Sequence, residues 1–144
     1  MLTNSSRSIH EDIAHLLRRA NQYSQVQSRK VLGPYKITPI QYAVLRGLDE
    51  LGPTIQRRLA LHVGLEPSNL HEMLKRLANR NLISISIDTK SERRDLLNLT
   101  KKGSNLLSEL IPLFVQHNTD LMNLLLEKEK EPFVSGMKKI AAIR

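Results

Sequence analysis

Near residue 82 the spacing of the apolar residues changes, and few folds accommodate what lies on either side. Upstream, Leu70, Met73, Leu74 and Leu77 fall at the i, i+3, i+4, i+7 positions of one helix face. Downstream, Ile83, Ile85 and Ile87 alternate with Ser84, Ser86 and Asp88, the period of a half-buried strand. A short helix from about Ile55 to Val63, with Leu59 and Val63 four apart, precedes the first pattern, and Gly64-Leu65 supplies a tight turn between the two. Glu66 and Pro67 open the second helix, with Pro67 at its first position, and Arg80 and Asn81 close it. The strand leads through a polar turn, Thr89-Lys90-Ser91-Glu92-Arg93, to a second short strand, Leu96-Leu97-Asn98-Leu99.

Two short helices joined by a Gly-containing turn and followed by a charged hairpin describe a winged helix-turn-helix. The expected fold class is therefore mainly α with a small β-hairpin wing. The flanking segments read as helices. Ser8 and Glu11 form a Ser-x-x-Glu capping box, which predicts a helix from Ile9 towards Val31, stopped by Gly33-Pro34. Thr38-Pro39-Ile40-Gln41 is a second start signal; Tyr42, Leu45, Leu48 and Leu51 follow at helical spacing until Gly52-Pro53. Thr100 caps a long helix through Leu106, Leu107, Leu110 and Leu113, with Pro112 expected to kink it, and Leu121, Leu124 and Leu125 continue the stripe. A last helix is predicted from about Lys130 to Ile143.

Charge selects among uses of such a fold. The net charge is +8, and residues 54–103 alone carry ten Lys/Arg against five Asp/Glu. Residues 1–53 carry seven against four, and residues 104–144 five against five. A basic excess centred on the helix-turn-helix is the footprint of a polyanion partner. With Leu70, Met73, Leu74 and Leu77 inward, Ser68, Glu72, Lys75, Arg76 and Asn79 face outward, with Asn69 and His71 on the flanks. These groups hydrogen-bond base edges and phosphates: Arg76 suits a guanine and Lys75 a phosphate. Lys90, Arg93 and Arg94 at the hairpin tip suit an adjacent minor groove. Only 3% of residues are aromatic, which argues against a base-stacking single-strand binder.

Other classes lack their signatures. There is no Gly-rich phosphate loop, no H-E-x-x-H and no G-x-S-x-G, so no enzyme and no cofactor is expected. With no cysteine, disulfides and thiolate metal sites within the chain are excluded. His10, His15, His62, His71 and His117 are scattered, and no metal is assigned; a metal sensor drawing ligands from two regions stays open. No apolar run approaches the ~20 residues of a membrane span, and Met1 to Ser8 has no signal-peptide core. A cytoplasmic location is expected.

The motifs resemble those of the MarR family of transcriptional regulators. Ile37 to Arg46 is similar to the family's second-helix opening. Gln56, Leu59-Ala60 and Gly64-Leu65-Glu66-Pro67-Ser68-Asn69-Leu70 are similar to its helix-turn-helix. Arg76-Leu77-Ala78-Asn79-Arg80-Asn81-Leu82-Ile83 resembles the end of its reading helix, with Asn81 in place of the usual Gly. Asp88, Arg93, Leu99-Thr100 and Gly103 match its wing signature, although Ser91 and Glu92 stand where the family has Asp and Arg. The resemblance covers about residues 37–107 and adds Gln56 and Arg57 to the candidate DNA contacts.

The resemblance implies a triangular homodimer. Residues 1–36 and 104–144 would form its helical dimerisation region, and residues 37–103 each DNA-binding lobe. Two reading helices would then lie about 34 Å apart, one turn of DNA. It implies a repressor that binds a palindromic operator and is released by a small-molecule effector such as an aromatic acid. His15, Arg19, Tyr23 and Tyr42 are the effector-binding candidates by position. The alternative is an architectural or protein-interaction module that binds nucleic acid without selectivity or effector response.

Overall fold

The computed structural model describes residues 8–88, 90 and 94–143, with the backbone alone for Asp88 and Arg94. Six helices and three strands follow in order: α1 (Ile13–Leu32), α2 (Pro39–Leu51), β1 (Thr54–Ile55), α3 (Gln56–Val63), α4 (Pro67–Asn79), β2 (Ile83–Asp88), β3 (Arg94–Leu99), α5 (Lys101–Met122) and α6 (Glu127–Ile140).

The first helix starts later than the Ser8 box predicts. Ser8 caps a single 3-10 turn, Ile9–Glu11, through a 3.2 Å bond from the His10 N–H. Asp12 then takes the cap of α1, its carboxylate accepting from the Ala14 N–H at 2.9 Å and the His15 N–H at 3.4 Å. A carboxylate facing two free N–H groups and the positive helix end is the stronger cap. At the other end of the chain, α6 begins at Glu127 rather than Lys130. The Glu129 side chain reaches back to accept from the Leu126 N–H at 2.8 Å, a start signal with no Ser or Thr to announce it.

The Thr38 box forms in full. Thr38 Oγ1 accepts from the Gln41 N–H at 3.2 Å, and Gln41 Oε1 accepts from the Thr38 N–H at 2.9 Å. Thr38→Ala is expected to lower stability by about 1 kcal/mol through loss of this reciprocal pair; urea denaturation showing an unchanged midpoint would refute it.

The wing is a three-stranded antiparallel sheet in the order β1-β3-β2. Ile83 pairs with Leu99 and Ile85 with Leu97, while Thr54 and Ile55 pair with Leu97 and Leu96 on the other edge of β3. Sequence alone assigns Ile55 to a helix and starts β3 at Leu96. A two-residue strand is too short to display alternation, and the polar Arg94-Asp95 opening of β3 carries no apolar signal. The pairing partners, not the residues themselves, make both of them strand.

Leucine dominates the core, because the chain has few aromatics to fill it. Leu45 and Leu48 of α2, Leu59 of α3, Leu70, Leu74 and Leu77 of α4, Leu97 of β3 and Leu107 and Leu110 of α5 are all buried in one cluster. Where α4 ends, Asn81 adopts φ 57°, the left-handed geometry expected of it as a substitute for Gly. The Leu82 N–H then bonds back to the Leu77 carbonyl at 3.1 Å.

The Leu82 carbonyl accepts from the Thr100 N–H at 3.1 Å, and Thr100 caps α5. At Gly103 the first turn of α5 lies against that carbonyl, so close that an added Cβ would sit 2.0 Å from the Leu82 oxygen. The helix α5 then runs on through Pro112 to Met122.

Candidate nucleic-acid interface and adjoining cleft

The Gly64 φ of 70° and the Leu65 N–H bonded to the Ala60 carbonyl at 2.9 Å turn the chain sharply between α3 and α4. Gln56 braces the same turn: its side-chain amide donates to the Pro67 carbonyl at 2.8 Å. One nominated contact residue thus commits one of its two amide N–H donors to holding the start of α4. Arg57 beside it is exposed.

Helix α4 is divided as its periodicity requires. Leu70, Leu74 and Leu77 are buried, whereas Ser68, Asn69, His71, Glu72, Lys75, Arg76 and Asn79 are exposed. Lys75 Nζ meets Glu72 Oε1 at 3.3 Å, with both side chains more than half exposed. Such a pair contributes little to stability, so it yields readily to a phosphate or a base edge. The far end of α4 is tied down. Arg80 donates to the Lys36 carbonyl at 2.6 Å and the Tyr35 carbonyl at 3.1 Å, and Lys102 Nζ donates to the Arg80 carbonyl at 3.0 Å. At the wing, Lys90 is exposed. Arg93, Ser91 and Glu92 lie outside the described residues, as does the side chain of Arg94.

The four residues nominated for a small-molecule site do not converge. His15 sits in the first turn of α1, 3.3 Å from the Arg18 guanidinium. Arg19 and Tyr23 share a shallow depression with Gln22 and Val26. Tyr23 also lines a 560 Å³ cleft with Lys30, Tyr35 and His117. Tyr42 lines a different cleft of 560 Å³, with Ser24 and Ser28 of α1, Arg46 and Glu50 of α2, His62 of α3, and Phe114 and Asn118 of α5. Ser24, the next residue along α1, lines the Tyr42 cleft, whereas Tyr23, turned about 100° around the helix, does not.

The Tyr42 cleft has distinct chemistry. Tyr42 stacks on Phe114 with ring centroids 4.0 Å apart and an interplanar angle of 23°. Burial raises the Tyr42 phenol above its ordinary pKa, with Arg46 opposing and Glu50 adding to the rise. The Arg46 guanidinium reaches Asp49 at 3.4 Å and Glu50 at 3.0 Å, and Glu50 reaches His62 at 2.9 Å. Behind the cleft lining, Ser28 Oγ lies 3.2 Å from Nε2 of His117, a residue of the Tyr23 cleft, and both are buried. Arg46, Glu50, His62, Phe114 and Asn118 escaped sequence reasoning. Except for His62, their signal was present at i, i+4 spacing on separate helices, namely Tyr42/Arg46/Glu50, Phe114/Asn118 and Ser24/Ser28. What was missing is the packing that turns the three lines towards one another.

A fully exposed polar face on the second helix of a helix-turn-helix, beside a sheet-borne wing, defines a winged-helix DNA-binding regulator. Residues 37–94 match the MarR family model. The HTH-type transcriptional repressor NicR of Pseudomonas putida is 30% identical over 112 residues, covering 77% of this chain and 70% of the relative. The chain belongs to the MarR family and is a transcriptional regulator of that type. Its fold matches that of Bordetella bronchiseptica BpsR, whose DNA binding is regulated by 6-hydroxynicotinic acid. The TM-score is 0.88 at 25% identity, covering 93% of this chain and 96% of that one. It also matches the transcriptional repressor CouR bound to a 23-mer DNA duplex, with a TM-score of 0.84 at 27% identity and coverage of 90% and 92%. No described helix is long and apolar enough to cross a membrane.

Proposed function

We propose that this regulator is a cytoplasmic homodimeric repressor that binds a palindromic operator and leaves it when an aromatic acid, or a derivative of one, occupies the Tyr42 cleft. The observation that carries the reading is the division of α4. Its apolar side is sealed into the lobe, while Ser68, Asn69, His71, Glu72, Lys75 and Arg76 stand exposed together. Residues 37–103 form the lobe that reads DNA, with Arg57, Lys90, Arg93 and Arg94 as its further candidate contacts.

Residues 1–36 and 104–144 supply the dimer contact. In support, α6 has no buried residue, and Phe133, Ile140 and Leu124 are 45%, 63% and 68% exposed, with Ile13 and Leu16 also open on α1. Apolar surface on that scale is covered in a stable assembly. The effector class is supported by the stacked Tyr42–Phe114 wall next to Arg46, and by the regulation of the related BpsR by 6-hydroxynicotinic acid.

Two measurements on the purified protein test the reading. Light scattering at micromolar concentration is expected to return twice the 16.4 kDa chain mass; a monomer would overturn the dimer. Selection from random duplexes is expected to enrich one palindrome, bound about 4–10 kcal/mol more tightly than unrelated DNA. Equal affinity for all duplexes would instead mark an architectural protein.

A further inference from the structure

Glu50 occupies an unusual position for a surface carboxylate. Its two oxygens serve two different helices: Oε1 meets Arg46 of its own α2 at 3.0 Å, and Oε2 meets His62 of α3 at 2.9 Å. It therefore clips the first helix of the helix-turn-helix to α2. Arg46, Glu50 and His62 all line the Tyr42 cleft. We propose that Glu50 holds the donors Arg46 and His62 that the effector's carboxylate would use, and that an incoming ring acid takes its place on them, opening the clip between α2 and α3. This rests on the reading of the Tyr42 cleft as the effector site.

Three features support the exchange. Tyr42 and Arg46 are one turn apart on the same face of α2, so a flat ring laid against Tyr42 and Phe114 brings a ring-borne carboxylate to the guanidinium. The clip is weak enough to be replaced, since Arg46, Glu50 and His62 keep 35%, 48% and 38% of their side-chain surface in solvent. A ligand carboxylate with two oxygens reproduces both bonds on the donor side, so nothing in the cleft is left unpaired except Glu50, which can turn to water.

The consequence falls on α3. With Glu50 displaced, α2 and α3 are held by apolar packing, the leucine core they share and the close approach at Gly47, where an added Cβ would lie 2.7 Å from Val63 Cγ1. Such packing acts as a pivot rather than a tie. Since Gln56 of α3 holds the start of α4, a pivoting α3 moves the reading helix. Asp49 provides an internal control, because it also meets Arg46, at 3.4 Å, but does not line the cleft.

The experiment titrates the full-length protein by calorimetry with 6-hydroxynicotinate, benzoate and 4-hydroxybenzoate, and with their carboxamides, and repeats the titrations on the protein–operator complex by fluorescence anisotropy. The acid that releases the operator is expected to bind Glu50→Gln about fivefold more tightly than wild type, the size of one half-exposed ion pair. Its carboxamide is expected not to compete. Asp49→Asn is expected to behave as wild type. Glu50→Asp, whose shorter arm cannot span both donors, is expected to shift in the same direction as Glu50→Gln and guards against misfolding of one variant. Equal affinity of wild type and both Glu50 variants, with operator release intact, would overturn the exchange and leave the effector site standing. If none of the acids binds or releases the operator, the effector reading falls and the exchange falls with it.

Discussion

Arg76→Ala should weaken operator binding by about 1–3 kcal/mol for each half-site and relax selectivity at a single base-pair position in that half-site. Arg76 is exposed in the last turns of α4, and no described residue holds it in an ion pair. Its guanidinium is therefore available to a guanine edge, where a bidentate contact discriminates against the other bases. The change should leave stability nearly untouched, since α4 is anchored from its other face by Leu70, Leu74 and Leu77. Lys75→Ala provides the contrast. Lys75 is a point charge already shared with Glu72, so its loss should weaken binding to all sequences alike and reduce the salt slope by about 1 per chain. Repeating the duplex selection with each variant distinguishes the two. If Arg76→Ala recovers the wild-type sequence preference with undiminished discrimination, Arg76 does not read a base.

Gly103→Ala should destabilise the protein by about 1–3 kcal/mol. Helix propensity alone predicts the opposite sign, since Ala is favoured over Gly by about 1 kcal/mol in a helix interior. Packing decides the matter. The added methyl would meet the Leu82 carbonyl oxygen at 2.0 Å and Leu99 Cδ1 at 2.9 Å, and a backbone carbonyl cannot rotate aside as a side chain can. Either α5 retreats or the 3.1 Å bond from the Thr100 N–H to Leu82 is lost. At about 3–5 °C per kcal/mol for a chain of this size, the melting temperature should fall by roughly 3–15 °C. A melting temperature that rises would mean the sheet and α5 are not packed as described.

These two residues mark how far the sequence could be read. The exposed face around Arg76 follows from periodicity alone, because Leu70, Met73, Leu74 and Leu77 fix which side of α4 turns inward. Asn81 was legible for a similar reason: few side chains tolerate the left-handed cap that the end of α4 requires. The strand β1 was not, because two residues carry no period and Thr54 and Ile55 become strand only by pairing with β3. The start of α1 was misplaced because Ser8 and Asp12 both offer caps, and the sequence does not rank a hydroxyl against a carboxylate with two N–H groups in reach. The cleft was legible only in pieces. Tyr42 was singled out, but Arg46, Glu50, His62 and Phe114 join it through the mutual rotation of α2, α3 and α5, which no local spacing encodes.

The joint between the sheet and α5 has a mechanical consequence. The end of α4 is fastened by Arg80 to the carbonyls of Tyr35 and Lys36, by Lys102 to α5, and through Leu82 to Thr100. Helix α5 is thus a lever with the probe fixed near its tip. With 22 residues it is about 33 Å long, so a tilt of about 5° carries the tip through roughly 3 Å. That distance is close to the rise of one nucleotide step along a strand, about 3.4 Å. Leu107 and Leu110 tie the leucine core to this end of α5, so the core travels with the probe, and so small a rotation is enough to put the probe out of phase with the groove.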